Sequence, residues 1–477
     1  MICLVQVENS GDFSTDIMPL GLLHVGSALK NVGFDVRIIH CTEKQIEATS
    51  AGIVKEKPLF VGFSVMTGPQ TLHSALLSEA IRRSDETIPI VWGGIHPSLV
   101  PQQCLGEDYI DFVVVGEGEE TAIDLARMLD HTKSFDSIPG LGYKSRGTVR
   151  LNAPRPFIEN LDNDKYRLRF DLLDVPSYFT RLRSFSRVVA YKTSRGCPYQ
   201  CAFCYNQRFN RGRWRAKSPD RVIEEIGFLK REYGIDAVCF YDDTFFVNKK
   251  RAVEILAGIA IPAKTDIRID LVDETLLQRL KEFGVFDLLI GVESGSDRIL
   301  NLLGKKITCE DIKKAVKLLA KYDLRVGYSA ITGLPTEKPE ELKKTIEMLL
   351  WIHKVHRNKT ITVGPYLPYP GTALYEIALA EGFEPPGTTK GWGIMDRWSP
   401  MLRLPWAKSD DLYWIREYLK FLNYRLPLLD MVAEFRLKRQ FLQLPYDARL
   451  VDFLLRRTLN GSYMGKCLRS IHSRLKV

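Results

Sequence analysis

Thr193-Ser194-Arg195-Gly196-Cys197-Pro198-Tyr199-Gln200-Cys201-Ala202-Phe203-Cys204-Tyr205 is the stretch on which the reading of this chain turns. Thiolates at 197, 201 and 204 are spaced so that a short loop can wrap them around one soft metal centre. Local runs of cysteine of this kind hold iron–sulfur clusters. A closed four-iron cluster or a structural zinc site takes four ligands, so three leave one metal position for a ligand from outside the protein. Two plainer readings stand beside this one: a zinc knuckle completed by a distant histidine, and three unrelated core cysteines.

Outward from the loop, residues 187 to about 365 alternate apolar runs with helical periodicity. Strands are expected at 187–193, 237–241, 266–269, 288–292, 325–330 and 360–363. Helices are expected at 220–233, 250–258, 273–283, 296–303, 310–322 and 339–353. Six strand–helix units predict a barrel or partial barrel, in which chemistry sits on the loops after the strands. The cysteine loop follows the first strand.

Residues 1–135 alternate in the same way, with strands at 2–7, 36–39, 59–64, 90–92 and 112–115 and helices at 20–31, 71–84 and 119–130. This predicts an open, doubly wound parallel sheet whose ligand lies beyond the carboxyl ends of the strands. Ser64, Met66 and Thr67 fall there, as do Gly93-Gly94-Ile95-His96-Pro97 and Gly116-Glu117-Gly118-Glu119. Such glycines either admit a large ligand or simply make tight turns, and for His96 beside Pro97 the plainer reading is that it shapes its loop. A Pro-, Asp- and Arg-rich connector follows at 136–186, with a hairpin expected near 140–151. The barrel is expected over 187–380 and a mainly helical region over 381–477.

The whole chain has 477 residues, 45% apolar and 26% charged, enough for two or three domains with full cores. Its first residues, Met1-Ile2-Cys3-Leu4-Val5-Gln6-Val7-Glu8, lack the features of a signal peptide. The longest apolar run, 252–263, is too short to span a bilayer. Cys3, Cys41, Cys104, Cys239, Cys309 and Cys467 stand singly, as core thiols rather than a disulfide framework. A reducing, cytoplasmic setting is therefore expected. The basicity is local: residues 401–477 carry 15 Lys and Arg against 7 Asp and Glu.

The core resembles the catalytic barrel of the radical S-adenosylmethionine (SAM) enzymes. The resemblance implies a [4Fe–4S] cluster on Cys197, Cys201 and Cys204, its open iron chelated by SAM. Tyr241-Asp242-Asp243 stands where the family meets the SAM amino group, and Arg268 where it pairs with the carboxylate. Glu293 and Ser294 match the ribose-contacting motif, and Gly333-Leu334-Pro335 the turn lining the adenine. The reduced cluster would pass one electron to SAM and release a 5′-deoxyadenosyl radical.

The first domain resembles the cobalamin-binding, Rossmann-like domain found ahead of this barrel in one class of the family. Met18-Pro19-Leu20-Gly21-Leu22-Leu23, Val61-Gly62-Phe63-Ser64, Gly93-Gly94-Ile95-His96-Pro97 and Gly116-Glu117-Gly118-Glu119 match its pattern, and Ser64, Thr67, Gly93, Gly94, His96, Gly116 and Glu117 would then contact cobalamin. The Asp-x-His-x-x-Gly motif that supplies a lower axial histidine is absent: His24, His40, His73 and His96 all lack the aspartate.

The class implies methylation of an unactivated carbon, with radical ring formation or rearrangement on the same architecture as the alternative. A methylthiotransferase-like enzyme is a further one, and a cluster-containing sensor that binds nucleic acid through the basic tail is the non-enzymatic one. Nucleic acid is not the expected partner. A small-molecule or lipid substrate, anionic in one reading, and a reductant such as flavodoxin or ferredoxin are. In the tail, Trp392, Trp398, Trp406, Trp414 and Tyr418 with Arg416, Arg425, Arg436, Lys438 and Arg439 would cover the barrel mouth, rest on a membrane, or pack on the barrel with a solvated charged face.

Overall fold

The first strand, β1 (Ile2–Glu8), buries residues on both of its faces. Cys3, Val5 and Val7 enter one core and Ile2 and Leu4 another, as in a parallel strand covered by helices on both sides. The computed structural model describes residues 1–10, 17–130, 134–145, 147–396, 403–424 and 426–439. After β1 come β2 (Val36–Thr42), β3 (Val61–Ser64), β4 (Ile90–Gly93), β5 (Phe112–Val114), β6 (Leu141–Ser145) and β7 (Thr148–Leu151). They form one sheet of order β2-β1-β3-β4-β5-β6-β7. The first five strands are parallel. The hairpin β6–β7 extends the sheet antiparallel to β5, so this layer continues past the expected border at 135.

Helices Leu20–Asn31 and Glu119–Asp130 lie where periodicity placed them. A helix at Ile46–Glu56 was not expected. It buries only Ile46, Ser50 and Ile53, a stripe too thin and too polar to register as helical periodicity.

The second alternating series is a partial (β/α)6 barrel, and the described chain packs as two compact units divided within it. The first unit holds Met1–Ala263, Pro368–Glu376 and the described residues from Glu384 to 396; the second holds Lys264–Leu367, Ile377–Phe383 and the described residues beyond 400. In the first unit, β8 (Thr180–Leu182) leads into β9 (Phe185–Tyr191), and two short strands, β10 (Ser194–Arg195) and β11 (Arg215–Ala216), pair antiparallel across the cysteine loop. β12 (Ala237–Phe240) runs parallel to β9. The helix between them, Pro219–Tyr233, starts on a Ser218 cap, whose hydroxyl accepts from the Arg221 amide, and stops at left-handed Gly234.

The series goes on through β13 (Ala263–Asp266), and in the second unit β14 (Val285–Glu293), β15 (Val326–Thr332) and β16 (Lys359–Pro365) run parallel. Intervening helices are Glu274–Glu282, Asp297–Leu302, Cys309–Lys321 and Pro339–Val355. β13 ends at Asp266, short of the expected 266–269. Alternate burial continues through Ile267 and Ile269, which gives those residues a strand-like pattern although Ile269–Leu271 is a 3₁₀ turn.

The tail is helical at Ser409–Phe421 and Pro427–Lys438. Asn423 pairs with both the amide and the carbonyl of Ile361, at 2.7 and 2.8 Å, closing the free edge of β16 where another chain would otherwise add. No helix among the described residues is long and apolar enough to cross a membrane.

Candidate functional site

β12 ends at Phe240, and the next residues clamp the cysteine loop. Asp243 accepts from the Gly196 amide at 2.9 Å and pairs with Lys192 at 3.2 Å. Burial pushes its carboxyl up, but Lys192 and the bonds it accepts hold it below the usual range. Asp242 accepts from the Thr193 hydroxyl at 2.8 Å and from Ser194; burial wins there and raises its pKa. The Thr244 hydroxyl lies 3.2 Å from the Cys197 sulfur.

Cys197, Cys201 and Cys204 are half-buried. Burial pushes the Cys204 thiol up to about 12, with the charges of Cys201, Asp243 and Cys197 adding to the rise. No group of three His, Cys, Asp or Glu among the described residues closes on a point as a single-ion site does. Three thiolates in one loop are the donor set a cluster takes, each binding a different iron. The residues present fit the group.

The carboxyl ends of β1, β3, β4 and β5 open into a cavity of about 530 Å³, within the range of cofactor pockets. Ser64, Gly93, Gly94, Gly116 and Glu117 line it. The cysteine-loop side contributes Lys192, Arg195, Tyr205, Tyr241 and Asp243. Gly94 has φ +96°, and a Cβ there would meet Val65 backbone atoms at 3.0 Å. Ser98, which sequence reasoning passed over, ties two glycine loops together, donating to the Gly94 carbonyl at 2.6 Å and accepting from the Gly116 amide at 2.9 Å. Glu8, also missed, is buried on the cavity wall and accepts from Gln6 at 2.5 Å and Gln70 at 2.8 Å. A broad glycine-floored cavity with amides at its rim fits a large planar cofactor.

Glu117 lines the cavity, yet its carboxylate is spoken for. Arg195, two residues before Cys197, donates to Glu117 at 2.7 Å and to Glu119 at 2.5 Å, and Arg215 donates to Glu117 at 2.8 Å. Arg195 and Arg215 face each other in the β10–β11 ladder. Burial favours the neutral carboxyl, but the two guanidiniums hold Glu117 below the usual carboxylate range. The glycine-rich turn of the first domain is thus bolted to the cysteine loop.

Three expected contacts of the first unit do not line the cavity. Thr67 and His96 hydrogen-bond one another in the interior at 3.0 Å, and the Trp392 ring stands edge-on to His96 with centroids 5.6 Å apart. Burial lowers the His96 pKa to about 3, so it is a neutral core residue. Asp242 is the third, turned toward Thr193 and Ser194. Sequence cannot tell which of two adjacent aspartates turns inward.

In the second unit, Arg268 lies two residues beyond β13; its fork is closed on Asp270 at 3.0 and 3.1 Å and it also donates to the Lys305 carbonyl at 2.8 Å. Glu293 has φ +62° and accepts from buried Lys305 at 3.0 Å. It folds back over Gly291, where a Cβ would fall 2.0 Å from its Oε1. Ser294 is fully buried and bonded to the Thr345 hydroxyl at 3.0 Å.

The Gly333 turn is held from two sides. The Gly333 and Leu334 amides donate to Glu337 at 2.9 and 3.3 Å, and the Trp406 indole N–H donates to the Gly333 carbonyl at 3.0 Å. Burial raises the Glu337 carboxyl to about 7. Neither Glu337 nor the pairing of Trp406 had a sequence signal.

Two of the tail aromatics, Trp392 and Tyr418, are core residues, and Trp406 and Trp414 are half-buried. Trp392 is buried in the first unit, its indole N–H donating to Gln103 at 2.8 Å. Tyr418 is fully buried, Arg416 stacks on Tyr413 and pairs with Glu417, and Arg436 stacks on Tyr418. Trp398 and Arg425 lie outside the described residues, as does everything beyond 439.

Residues 191–349 match the model of the radical SAM superfamily and residues 10–126 that of the B12 binding domain. Over 402 residues the chain is 34% identical to an uncharacterized methyltransferase of Pyrococcus horikoshii, covering 83% of this chain and 85% of that one. This chain belongs to the radical SAM superfamily. An anaerobic magnesium-protoporphyrin IX monomethyl ester cyclase of Synechocystis is 26% identical, over 70% of this chain and 68% of its own. Among solved structures, the cobalamin-dependent SAM radical enzyme OxsB, with aqua-cobalamin and SAM bound, superposes with a TM-score of 0.68 at 18% identity, over 98% of this chain and 74% of that one. The family's cofactors are the [4Fe–4S] cluster and SAM, and the B12 binding domain adds cobalamin.

Proposed function

We propose that the protein is a cobalamin-dependent radical SAM enzyme that methylates an unactivated carbon of a small molecule or lipid. The observation that carries this is the shared cavity: the glycine-lined strand ends of the first domain and Lys192, Arg195, Tyr205, Tyr241 and Asp243 beside the cysteine loop line one space. When bound, the cluster and SAM supply a carbon radical and the corrin a methyl group. Cys197, Cys201 and Cys204 would hold the cluster. Asp243 fixes the loop through the Gly196 amide, and Ser64, Gly93, Gly94 and Gly116 floor the corrin site. Glu293 and the Gly333 turn would take the SAM ribose and adenine, and burial of these groups keeps water from a reactive radical.

The kinship with a named methyltransferase favours methyl transfer. The kinship with a named cyclase keeps ring formation as the second reading. The reductant is a flavodoxin or ferredoxin. Leu428, Met431 and Phe435, exposed on one helix that ends in Lys438 and Arg439, support peripheral contact with an anionic membrane, to be checked by liposome flotation.

The test is anaerobic reconstitution with iron, sulfide and hydroxocobalamin, followed by reduction and SAM bearing a deuterated methyl group. Stoichiometric corrin and labelled methylcobalamin are expected. Corrin without labelled methylcobalamin, alongside 5′-deoxyadenosine, would overturn methylation in favour of the ring-forming reading. A cluster without corrin would remove the cobalamin route altogether.

A further inference from the structure

We propose that the outward side of the cysteine loop, at Arg208 and Arg211, is the docking surface for a small acidic redox protein that reduces the cluster. The proposal rests on the reading above, which requires an electron, and it names where the donor binds. From Lys192 to Lys217 the chain carries seven Lys and Arg and no Asp or Glu. The structure sorts these cations by direction. Those turned inward have carboxylates: Lys192 with Asp243, Arg195 with Glu117 and Glu119, Arg215 with Glu117, and Lys217 with Glu225. At the surface Arg213 pairs with Glu159 at 2.8 Å. Arg208 and Arg211 are exposed and, among the described residues, form no ion pair.

These two cations are fixed to the ligand loop. Arg208 sits in the single helical turn Asn206–Phe209, tied back through the Gln207 amide to the Cys204 carbonyl at 3.3 Å and the Arg208 amide to the Tyr205 carbonyl at 2.9 Å. A notch of about 40 Å³ lies between them and the connector, walled by Pro154, Pro156 and Phe157. It is too shallow for an organic anion, and its guanidiniums are open to water. They act as a field rather than as a pocket, and unpaired surface cations steer an oppositely charged protein. Redox partners need only such small, weak interfaces, and here Arg208 and Arg211 lie four and seven residues beyond the last ligand cysteine. Single-stranded nucleic acid would need an aromatic platform. Of the two rings in the notch, Phe157 is crowded by Arg211, Arg213 and Arg215 at 5.6, 5.8 and 4.4 Å from its centroid, and Phe209 is half-buried edge-on to Tyr205, with centroids 6.4 Å apart.

In the step itself, the donor's reduced flavin loses one electron and the cluster passes from its 2+ to its 1+ state. The experiment uses the full chain with its cluster reconstituted. Cluster bleaching is timed with photoreduced flavodoxin and, separately, with a photoreduced deazaflavin that needs no docking. For Arg208→Glu/Arg211→Glu the flavodoxin rate at low salt should fall by about tenfold and lose its salt dependence, with the deazaflavin rate unchanged. Arg208→Lys/Arg211→Lys should keep most of the flavodoxin rate. A flavodoxin rate within about twofold of the parent, an equal fall with both reductants, or lost binding of a labelled RNA with the donor rate intact would each overturn the proposal. A parent protein without four-iron absorption would overturn the underlying reading, and that is seen before any donor is added.

Discussion

Replacing Arg195 by methionine should destabilise the junction between the glycine-rich turn and the cysteine loop by about 3–5 kcal/mol, the cost of breaking a buried ion pair from one side. The Arg195 side chain is 14% exposed, Glu117 7% and Glu119 4%. Glu117 keeps Arg215 after the change, whereas Glu119 loses the one ion-pair partner it has among the described residues. Most of the loss therefore belongs to Glu119, left as a buried carboxylate without a cation. Changing both residues, Arg195→Met with Glu119→Leu, removes the stranded charge as well as the attraction. That double variant should return to within about 1–2 kcal/mol of the parent, because well-packed apolar pairs replace buried ion pairs at little cost. Native-state hydrogen exchange of the apo-protein, read on peptides 112–122 and 193–199, measures the local free energy directly. A single variant losing less than about 1 kcal/mol, or a double variant no better than the single ones, would refute the reasoning, since a pair that matters must show coupling.

Cys201→Ala should abolish four-iron absorption and SAM cleavage while far-UV circular dichroism stays unchanged. Glu293→Gln should weaken SAM binding by about tenfold, roughly 1.4 kcal/mol, in equilibrium dialysis, with iron content intact. Trp406→Phe removes one hydrogen bond to the Gly333 carbonyl, worth about 1 kcal/mol, so SAM affinity should drop several-fold without change in the cluster spectrum. Glu337 holds its proton up to about pH 7 against an ordinary 4.5. The folded state binds more protons across that window, so stability falls by about 3 kcal/mol as pH rises through it. Glu337→Gln should flatten this slope in urea midpoints taken at pH 5 and pH 8.

The barrel was legible because each βα unit writes two periods side by side. Helix 219–233, with Ser218 and Gly234 as its stops, was placed to within one residue. The cysteine loop was legible because ligand spacing is local. What stayed hidden depends on side-chain direction. Thr67 and His96 follow strand ends as a ligand contact would, yet they turn inward, and Asp242 differs from Asp243 only in which way it faces. Arg268 was expected at a strand end, but the ladder stops at Asp266 although alternate burial continues. Glu337, Ser98 and Trp406 act on backbone groups brought near by the fold, and no spacing encodes that.

The chain comes back to its first unit after leaving it. Residues 386–392 dock there: Gln103 donates to the Pro386 carbonyl at 2.7 Å, Thr389 meets Glu107 at 2.9 Å and Lys390 meets Glu79 at 2.5 Å, while Trp392 fills a socket beside His96. The N-terminal domain is therefore not a cassette that can be cut out at 136 or 187 and grafted elsewhere. A chimera made that way would leave a socket for a whole indole, on the order of 150–250 Å² of apolar surface, open to water. A transplant that keeps its fold must carry the 384–396 segment along, so this domain's genetic borders lie on both sides of the barrel.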